Sequence, residues 1–491
     1  MKVLDCTLRD AGYYSNWQYT DSEIKKYCEI INDLNIDIVE IGYRNPPHDS
    51  YRGSLYYCPA ITLERFHRML NKNIEKFIML DFKTIQDIEF TTSRLKSVRQ
   101  YISGVRIAVN ANKTDKLNEL ILSIKSIGLK VCINLMYGHK YLNNELSFKK
   151  ISNMTDIKNV DVISIVDSYG CLIPDDIDIL VRKALKVFPE TKLGFHGHNN
   201  LNLALSNSIA AIKSGVDIVD STLGGLGRGA GNLRTEDSIL ALNTYHGKMA
   251  ESTVKGLCSS HEMMSKFREK YVWGPEVPYA VAAMKKIPQQ VVMDLINLKR
   301  LSYLEVIDSY KDNIPKKLET KTKKIEIKND SKSYILVAGC TEALLTQDIL
   351  DYLMKHYSLK KMLLCGKNAV ELYRDLKIKK IAILPGKEAE LYDMDTKKEV
   401  ISLLPYSRKK KFQTYETTRT LNNPLEVAVD YISQNNVPTV FAYGFSGKDS
   451  ISLTNESALE FSWLKKQNVQ IVSLTPTSYD IDSYSLYSEM V

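Results

Sequence analysis

The sequence has little of what marks membrane, secreted or fibrous proteins. No apolar run approaches the roughly 18 residues that a membrane-spanning helix needs, and the first residues, Met1 to Asp5, lack the apolar core of a signal peptide. The 14 prolines and 23 glycines are too few for a fibrous or low-complexity protein of 491 residues. We therefore expect a soluble, cytoplasmic protein with no membrane partner.

Disulfide pairing and nucleic-acid binding also find little support in the composition. The eight cysteines are scattered and none forms a C-x-x-C pair, so they indicate buried thiols in a reducing compartment. The net charge is only +8, and much of it lies in the runs Lys316–Lys332 and Arg408–Lys411. Localised charge without an RNA- or DNA-binding motif is typical of linkers and loops, so we expect no nucleic-acid partner.

What the sequence does contain is a globular composition with an α/β alternation. At about 150 residues per domain, the length predicts two or three domains. Residues 1–240 alternate short β-branched runs with helical segments, and the strand candidates are Lys2–Cys6, Ile36–Gly42, Lys76–Leu80, Gly104–Val109, Leu129–Met136, Val160–Val166, Lys192–His196 and Val216–Ser221. Eight β–α units in this length predict a (β/α)8 TIM barrel. The alternative is a doubly wound open sheet, which usually has fewer strands.

Two of the intervening segments show clear helical features. Thr20 with Glu23 has the spacing of a capping box, and it opens a helix with an apolar stripe of Ile24, Cys28, Ile31 and Leu34. A similar stripe follows the seventh strand candidate and comprises Leu201, Leu205, Ile209 and Ile212. Both stripes have the periodicity of an amphipathic helix.

The rest of the chain predicts three further regions. Residues 241–312 read as a helical extension of the barrel, interrupted at Trp273-Gly274-Pro275, and residues 313–333 as a lysine-rich linker. Residues 334–491 predict a Rossmann-like α/β domain. Its role is either to bind a ligand or to serve as a regulatory or scaffolding domain. Its strand candidates are Tyr334–Ala338, Met362–Leu364, Lys379–Leu384, Thr439–Tyr443 and Val469–Leu474, with helices over Thr341–Tyr357 and Pro424–Gln434.

Polar residues follow the predicted barrel strands at their carboxyl ends, where reactive groups of such barrels lie. His196 and His198 end the seventh strand, and residues two apart on an extended segment point to the same side, so both imidazoles can face one ion. Asp10 follows strand 1 and Asn232 follows strand 8, and strands 1, 7 and 8 are neighbours in a closed barrel. These four residues predict a divalent-metal site. The alternative is that the H-x-H pair is merely polar loop sequence.

The glycine-rich stretch Gly224–Asn232 has two interpretations. Its G-x-G-x-G pattern could cradle a phosphate, but it lacks the Lys-Ser/Thr pair of a P-loop. We favour the interpretation that the glycines let the backbone bend so that Asn232 turns into the metal site. Nucleotide binding at this loop stays the alternative.

Three segments together resemble the signature of a known group of barrels. They are LDCTLRD at 4–10, HGHN at 196–199 and GRGAGN at 227–232. In this order they are similar to the pyruvate-carboxyltransferase/HMG-CoA-lyase-like barrels, the DRE-TIM metallolyases, over residues 1 to about 300. The helical extension fits the 4-hydroxy-2-oxovalerate aldolase branch best. The resemblance implies that Asp10, His196 and His198 bind a divalent metal with Asn232 as fourth ligand, manganese or magnesium being favoured over zinc or cobalt.

The resemblance also implies roles for the neighbouring residues. Arg9 would stabilise an enolate oxygen, and Asp167 with Ser168 would line the active site, the alternative being a strand-end cap. Two positions depart from the family pattern: Ala11 replaces the usual glycine, and Tyr13 replaces the acid–base histidine of the aldolases. Tyr13 is therefore the candidate proton-transfer residue, acting mainly as an acid.

We therefore expect a carbon–carbon lyase, either an aldolase or a condensing enzyme, acting on pyruvate or another 2-keto acid with an aldehyde partner. A metal and a guanidinium can stabilise the charge that develops on the keto oxygen, and no lysine stands obviously at a strand end for a Schiff base. The alternatives are an acyl-CoA-dependent Claisen lyase or synthase, and a non-catalytic barrel whose C-terminal domain binds the ligand.

The C-terminal domain resembles modules found beside surface-glycan enzymes in bacteria, so we expect a role in glycan-precursor synthesis. We also expect a homo-oligomer.

Overall fold

The chain divides into two compact α/β units, with the division at Glu319. The computed structural model describes residues 1–48, 51–110, 116–142, 145–154, 157–246, 250–297, 303–308, 333–338, 345–385, 399–403, 413–414, 424–445, 451–475, 477, 479–488 and 490. No helix in these ranges is both long and apolar enough to cross a membrane. The lysine-rich run predicted as a linker, up to residue 332, and the cluster Arg408–Lys411 lie outside the described residues.

The first unit is built on a closed barrel of eight parallel strands in sequential order, as predicted. The strands are β1 (Lys2–Asp5), β2 (Ile38–Tyr43), β3 (Glu75–Asp81), β4 (Gly104–Val109), β5 (Lys130–Leu135), β6 (Val162–Asp167), β7 (Lys192–Gly197) and β8 (Ile218–Ser221). β1 closes the barrel on β8, with Asp5 opposite Ser221. Because every strand runs the same way, all eight carboxyl ends meet at one rim.

Fifteen helices of the described first unit accompany these strands. They are α1 (Thr7–Ser15), α2 (Asp21–Asp33), α3 (Ser54–Tyr57), α4 (Ala60–Met69), α5 (Ile88–Lys96), α6 (Leu117–Ser126), α7 (His139–Leu142), α8 (Glu145–Met154), α9 (Pro174–Val187), α10 (Ala204–Ser214), α11 (Thr235–His246), α12 (Glu251–Lys270), α13 (Val277–Met284), α14 (Gln289–Asn297) and α15 (Tyr303–Asp308). The capping box of α2 is confirmed, because Thr20 Oγ1 accepts from Glu23 N at 3.2 Å and Glu23 Oε2 from Thr20 N at 2.8 Å.

The most deeply buried face of α10 is not the apolar stripe seen in the sequence. The large residues of the stripe, such as Leu205 and Ile209, are only half-buried. The fully buried positions are instead Ala204, Asn207, Ser208 and Ala211. Small side chains let this helix approach the barrel closely, and Asn207 Nδ2 donates to the backbone oxygen of Leu172 at 2.8 Å. Close approach, rather than hydrophobic volume, selects the packed face here.

The predicted helical extension corresponds to α12–α15, and the boundary placed at residue 240 falls inside α11. The predicted break at Trp273-Gly274-Pro275 lies between α12 and α13. Tyr279, Ala282 and Val292 of the extension form an apolar cluster with Ala230. The extension therefore packs directly against the glycine-rich loop that follows β8.

The second unit is a parallel sheet of eight described strands. They are β9 (Ser333–Ala338), β10 (Leu359–Cys365), β11 (Lys380–Pro385), β12 (Glu399–Leu403), β13 (Gln413–Thr414), β14 (Thr439–Tyr443), β15 (Gln470–Ser473) and β16 (Asp482–Ser483). Their order is β13-β12-β11-β10-β9-β14-β15-β16, a doubly wound arrangement that reverses between β9 and β14. Its helices are α16 (Gln347–His356), α17 (Lys367–Leu372), α18 (Pro424–Gln434) and α19 (Ile451–Lys466). β12, β13 and β16 were not predicted, the latter two being only two residues long.

Candidate active site and metal centre

Three buried side chains converge at the carboxyl rim of the barrel. Asp10 lies in α1, directly after β1, and His196 lies in β7 with His198 just beyond it. One carboxylate oxygen of Asp10 and one nitrogen of each imidazole all lie within 4.8 Å of one another. The structure thus brings together the three residues that the sequence predicts as metal ligands.

Hydrogen bonds fix both imidazoles with one nitrogen turned toward the cluster. Nδ1 of His198 lies 2.8 Å from the backbone oxygen of Asp167, and Nδ1 of His196 lies 3.0 Å from Oδ2 of Asp220. Both partners are acceptors, so each Nδ1 donates a hydrogen bond and Nε2 is the nitrogen left to face the cluster. Burial, reinforced by the neighbouring His196, lowers the pKa of His198 to about 3, so this imidazole is neutral at physiological pH.

Asn232 brings a fourth possible ligand atom, an amide oxygen, close to these three residues. Its Nδ2 donates to Asp10 Oδ2 at 2.5 Å, and its backbone pairs with that of His198. Its Oδ1 is buried and has no hydrogen-bond partner among the described residues. A buried acceptor without a partner is costly unless a ligand satisfies it. One carboxylate, two imidazoles and one amide oxygen are a donor set that divalent ions such as Mn²⁺, Mg²⁺, Zn²⁺ or Co²⁺ accept, so the residues fit such an ion.

The glycine-rich loop positions Asn232 by close packing. A Cβ at Gly227 would lie 2.4 Å from Asn232 Nδ2, so only glycine fits there. The loop is held from outside by Gln289 of α14, which accepts from Ala230 N at 3.0 Å. The hydroxyl of Tyr14 accepts from the backbone N–H of Gly229 at 3.1 Å. The loop therefore serves the orienting role predicted for it.

Arg9 lies between two carboxylates at the edge of this cluster. Its Nη1 donates to Asp10 Oδ1 at 2.6 Å, and its Nε donates to Oε1 of the buried Glu40. Burial would lower the pKa of Arg9, but the charges of Asp10 and Glu40 outweigh it and keep the guanidinium charged. Its Nη2 makes no hydrogen bond to another described residue, so these donors face the cavity that Arg9 lines.

A second buried arginine, Arg106, connects Glu40 with Asp220. Arg106 Nη1 donates to Glu40 Oε2 at 2.9 Å, and Nη2 donates to Asp220 Oδ2 at 2.5 Å. Asp220 in turn is hydrogen-bonded to His196, so a chain of ion pairs from Asp10 to Asp220 ends in a hydrogen bond to His196. Sequence reasoning gave Glu40, Arg106 and Asp220 no role. The signal was available, since each is a lone charged residue within an otherwise apolar strand.

A cavity of about 340 Å³ opens above the cluster and is lined by Arg9, Asp10, His196 and His198, among others. Tyr13 also lines it, and its hydroxyl lies 3.1 Å from that of Tyr43. The residue predicted for proton transfer therefore faces the same space as the candidate metal ligands.

Asp167 and Ser168 make loop contacts and are not among the residues that line this cavity. The Asp167 carboxylate accepts from the backbone N–H groups of Cys171 and Leu172 at 3.2 and 3.1 Å, and burial raises its pKa to about 6. Ser168 Oγ accepts from Tyr137 N at 2.8 Å. These contacts match the strand-end cap, and a catalytic role for either residue stays a prediction.

Lys83 also lines the cavity, two residues beyond β3, where sequence reasoning found no obvious lysine. Its Nζ lies 2.9 Å from Asp81 Oδ2. Burial would lower the pKa of Lys83, but Asp81 outweighs it and raises the pKa. A Schiff base needs a neutral amine, so the ion pair disfavours that chemistry here.

Comparisons with known proteins agree with this geometry. Residues 1–263 match the family model described as HMGL-like. The chain is 29% identical to an oxaloacetate decarboxylase of Mycobacterium tuberculosis over 49% of this chain and 69% of that protein. It is 26% identical to a 4-hydroxy-2-oxovalerate aldolase of Geobacillus thermodenitrificans over 63% of this chain and 83% of that protein. The crystal structure of the N-terminal domain of a putative aldolase from Bacteroides vulgatus is 34% identical, with a TM-score of 0.58, and covers 63% of this chain and 100% of that one.

Proposed function

The chain belongs to the HMGL-like family, and from that premise we propose that it is a divalent-metal-dependent lyase that makes or breaks a carbon–carbon bond of pyruvate or a closely related 2-keto acid. One observation carries the proposal. The buried cluster of Asp10, His196 and His198 lies beside the unpartnered Nη2 of Arg9 in a cavity large enough for a small substrate.

Asp10, His196 and His198, with Oδ1 of Asn232, would hold the ion. When bound, a divalent ion polarises a keto oxygen as a Lewis acid. Cleavage beside a keto group leaves negative charge on that oxygen, and the free N–H groups of Arg9 can donate to it. The carboxylates of Asp10 and Glu40 hold the guanidinium in place, so little reorganisation is needed as the charge develops.

Tyr13 is the proposed proton-transfer group. Its hydroxyl lies in the cavity within hydrogen-bond distance of Tyr43. Burial, with a further contribution from Tyr13, raises the pKa of Tyr43 well above its usual value, so Tyr43 stays protonated and its hydroxyl can donate a hydrogen bond to the Tyr13 oxygen. Tyr13 can then donate its own proton to the substrate carbon or oxygen.

Deuterium exchange into pyruvate tests this proposal before any acceptor is known. We expect the full-length protein with Mn²⁺ or Mg²⁺ in heavy water to exchange the methyl protons of pyruvate, as followed by NMR. The same protein with chelator should not exchange them. Absence of exchange with pyruvate and with longer 2-keto acids, at full metal loading, would contradict the proposal.

Decarboxylation of a 2-keto diacid is a second candidate, favoured by the similarity to the oxaloacetate decarboxylase. Decarboxylation also leaves negative charge on the keto oxygen, so the residues of the site would have the same roles as in the cleavage reaction. Release of CO₂ from oxaloacetate, compared with release of acetaldehyde from 4-hydroxy-2-oxovalerate, separates the two reactions. A role in surface-glycan synthesis stays a prediction.

A further inference from the structure

Arg228 is a cationic group of the cavity without an acidic partner. It lies in the glycine-rich loop and lines the cavity, and its guanidinium carbon lies 4.1 Å from the centre of the Tyr13 ring. It is half-buried, and its guanidinium forms no hydrogen bond and no ion pair with any residue in the described ranges. A guanidinium has five N–H donors suited to carboxylate or phosphate. Those of Arg228 are open to a ligand.

The other cations of the cavity differ in this respect. Arg9 is paired with Asp10 and Glu40, and Lys83 is paired with Asp81. Stacking on Tyr13 orients the Arg228 side chain but leaves its N–H edge free. An arginine that is held in place without a counter-ion at a substrate cavity is expected to meet an anion that the substrate brings.

The loop also sets how near Arg228 lies to the metal ligands. Its neighbour Gly227 packs against the amide of Asn232, which is bonded to Asp10. Arg228 and Asp10 are also close enough for the charge of each to shift the pKa of the other. A substrate bound at the metal ligands could therefore span to Arg228.

The charge balance of the site indicates how many anionic groups the substrate carries. The carboxylates of Asp10, Glu40 and Asp220 outnumber Arg9 and Arg106 by one. A divalent ion would leave the site with one excess positive charge, and Arg228 brings the excess to two. A simple 2-keto acid neutralises one of these charges. Neutralising the second excess positive charge requires a second anionic group.

We propose that Arg228 binds a second anionic group, a carboxylate or a phosphate, on the part of the substrate beyond the 2-keto acid, so that the enzyme acts on acidic rather than neutral acceptors. This inference rests on the proposed function and narrows its substrate class.

Matched pairs of aldehydes test the inference with the full-length, metal-loaded protein. Acetaldehyde is compared with glyoxylate, and glycolaldehyde with its phosphate, each in condensation with pyruvate. We expect wild type to prefer the charged member of one pair by about 50-fold or more in kcat/KM, and the pair concerned identifies carboxylate or phosphate. R228Q should lower this ratio at least 30-fold, and R228K should keep part of it. R182Q, at an exposed arginine of α9, is the matched control and should keep the ratio.

A binding measurement adds a readout that is independent of turnover. Calorimetry with 2-oxoglutarate and 2-oxohexanoate, which differ in the terminal carboxylate, should show a wild-type preference for the diacid that R228Q removes, and a diacid preference that survives R228Q would contradict the inference. The phosphate version is tested in the same way, by comparing the binding of glycolaldehyde phosphate to wild type and to R228Q.

The outcomes separate the inference from the proposed function. Pyruvate exchange without any preference for charged acceptors would overturn the inference alone. So would an equal loss on both members of each pair in R228Q, because Arg228 would then act on the shared keto-acid half. Absence of pyruvate exchange in wild type would instead overturn the proposed function.

Discussion

The two ends of the barrel enclose cavities of nearly equal size, about 340 Å³ at the carboxyl rim and about 310 Å³ at the amino rim. At the carboxyl rim, the donor atoms of Asp10, His196 and His198 converge on one point. At the amino rim, Glu75 pairs with both Lys2 and Lys130, and the charges satisfy one another. Cavity volume therefore does not distinguish the ends, whereas the convergence of three possible metal ligands does.

The difference follows from the direction of the strands. At the carboxyl rim the chain leaves each strand into loops and helix starts that can turn a side chain inward, as α1 does with Asp10. Arg106 and Asp220 line the lower cavity. Arg106 donates to Glu40 and Asp220 is hydrogen-bonded to His196, so hydrogen bonds connect the residues of the lower cavity with those of the upper site. The comparison predicts that substitutions lose effect steadily from the upper site to the lower cavity.

The largest effect is expected from His198→Ala. The variant removes one of the two imidazoles of the candidate metal site, so most bound metal and nearly all pyruvate exchange should be lost. His196→Ala should behave alike. Metal analysis after dialysis measures the loss, with H67A on the outer helix α4 as control. Full metal content in the His198 variant would mean that the metal lies elsewhere.

Arg9→Ala should separate metal binding from chemistry. The ion should stay bound, because the three ligands are unchanged, while exchange falls by about 100- to 1,000-fold through loss of donors to the developing charge. Metal content and exchange rate are measured on the same sample. Metal loss matching that of the His198 variant would show that Arg9 acts mainly by holding Asp10.

Asp220→Asn should produce an intermediate effect. It weakens the acceptor that orients His196 and removes one counter-charge of Arg106. We expect metal affinity to fall by about 10- to 100-fold and stability to fall by on the order of 3 kcal/mol. Metal titration and chemical denaturation measure the two effects. An unchanged metal affinity would limit the ion-pair chain to a structural role.

Ser164→Ala in the lower cavity should have little effect. Its hydroxyl is buried without a partner among the described residues, so its removal should change stability by less than about 1 kcal/mol. Metal content and pyruvate exchange should match wild type. A loss of exchange comparable to that of the Asp220 variant would show that the lower cavity takes part in the chemistry.

The smallest effect on exchange is expected from removing the second unit. A fragment of residues 1–319 contains every proposed ligand and ends at the division between the two units. It should fold and exchange pyruvate protons like the full chain, and the solved N-terminal domain of the Bacteroides vulgatus relative supports this expectation. Limited proteolysis and the exchange assay test it. An insoluble or inactive fragment would mean that the second unit completes the site.

The sequence predicts some secondary-structure elements more accurately than others. The barrel strands were predicted to within about two residues, because buried parallel strands are short apolar runs with clear ends. The packed face of α10 was not, since hydrophobicity points to Leu205 and Ile209 while close approach to the barrel selects Ala204 and Ala211. The strands β13 and β16 are too short to show any pattern.

By itself the sequence determined the barrel and the three residues that meet in the candidate metal site. Strand alternation is local, and the spacing of His196 and His198 by two residues places both on one face whatever the rest of the chain does. Only the tertiary structure decided what surrounds them. Arg106 meets Glu40 and Asp220 across separations of 66 and 114 residues, and such pairs depend on how the closed barrel staggers its strands. The same closure brings Arg228 over Tyr13 and leaves it without an acidic partner among the described residues, which no local pattern could show.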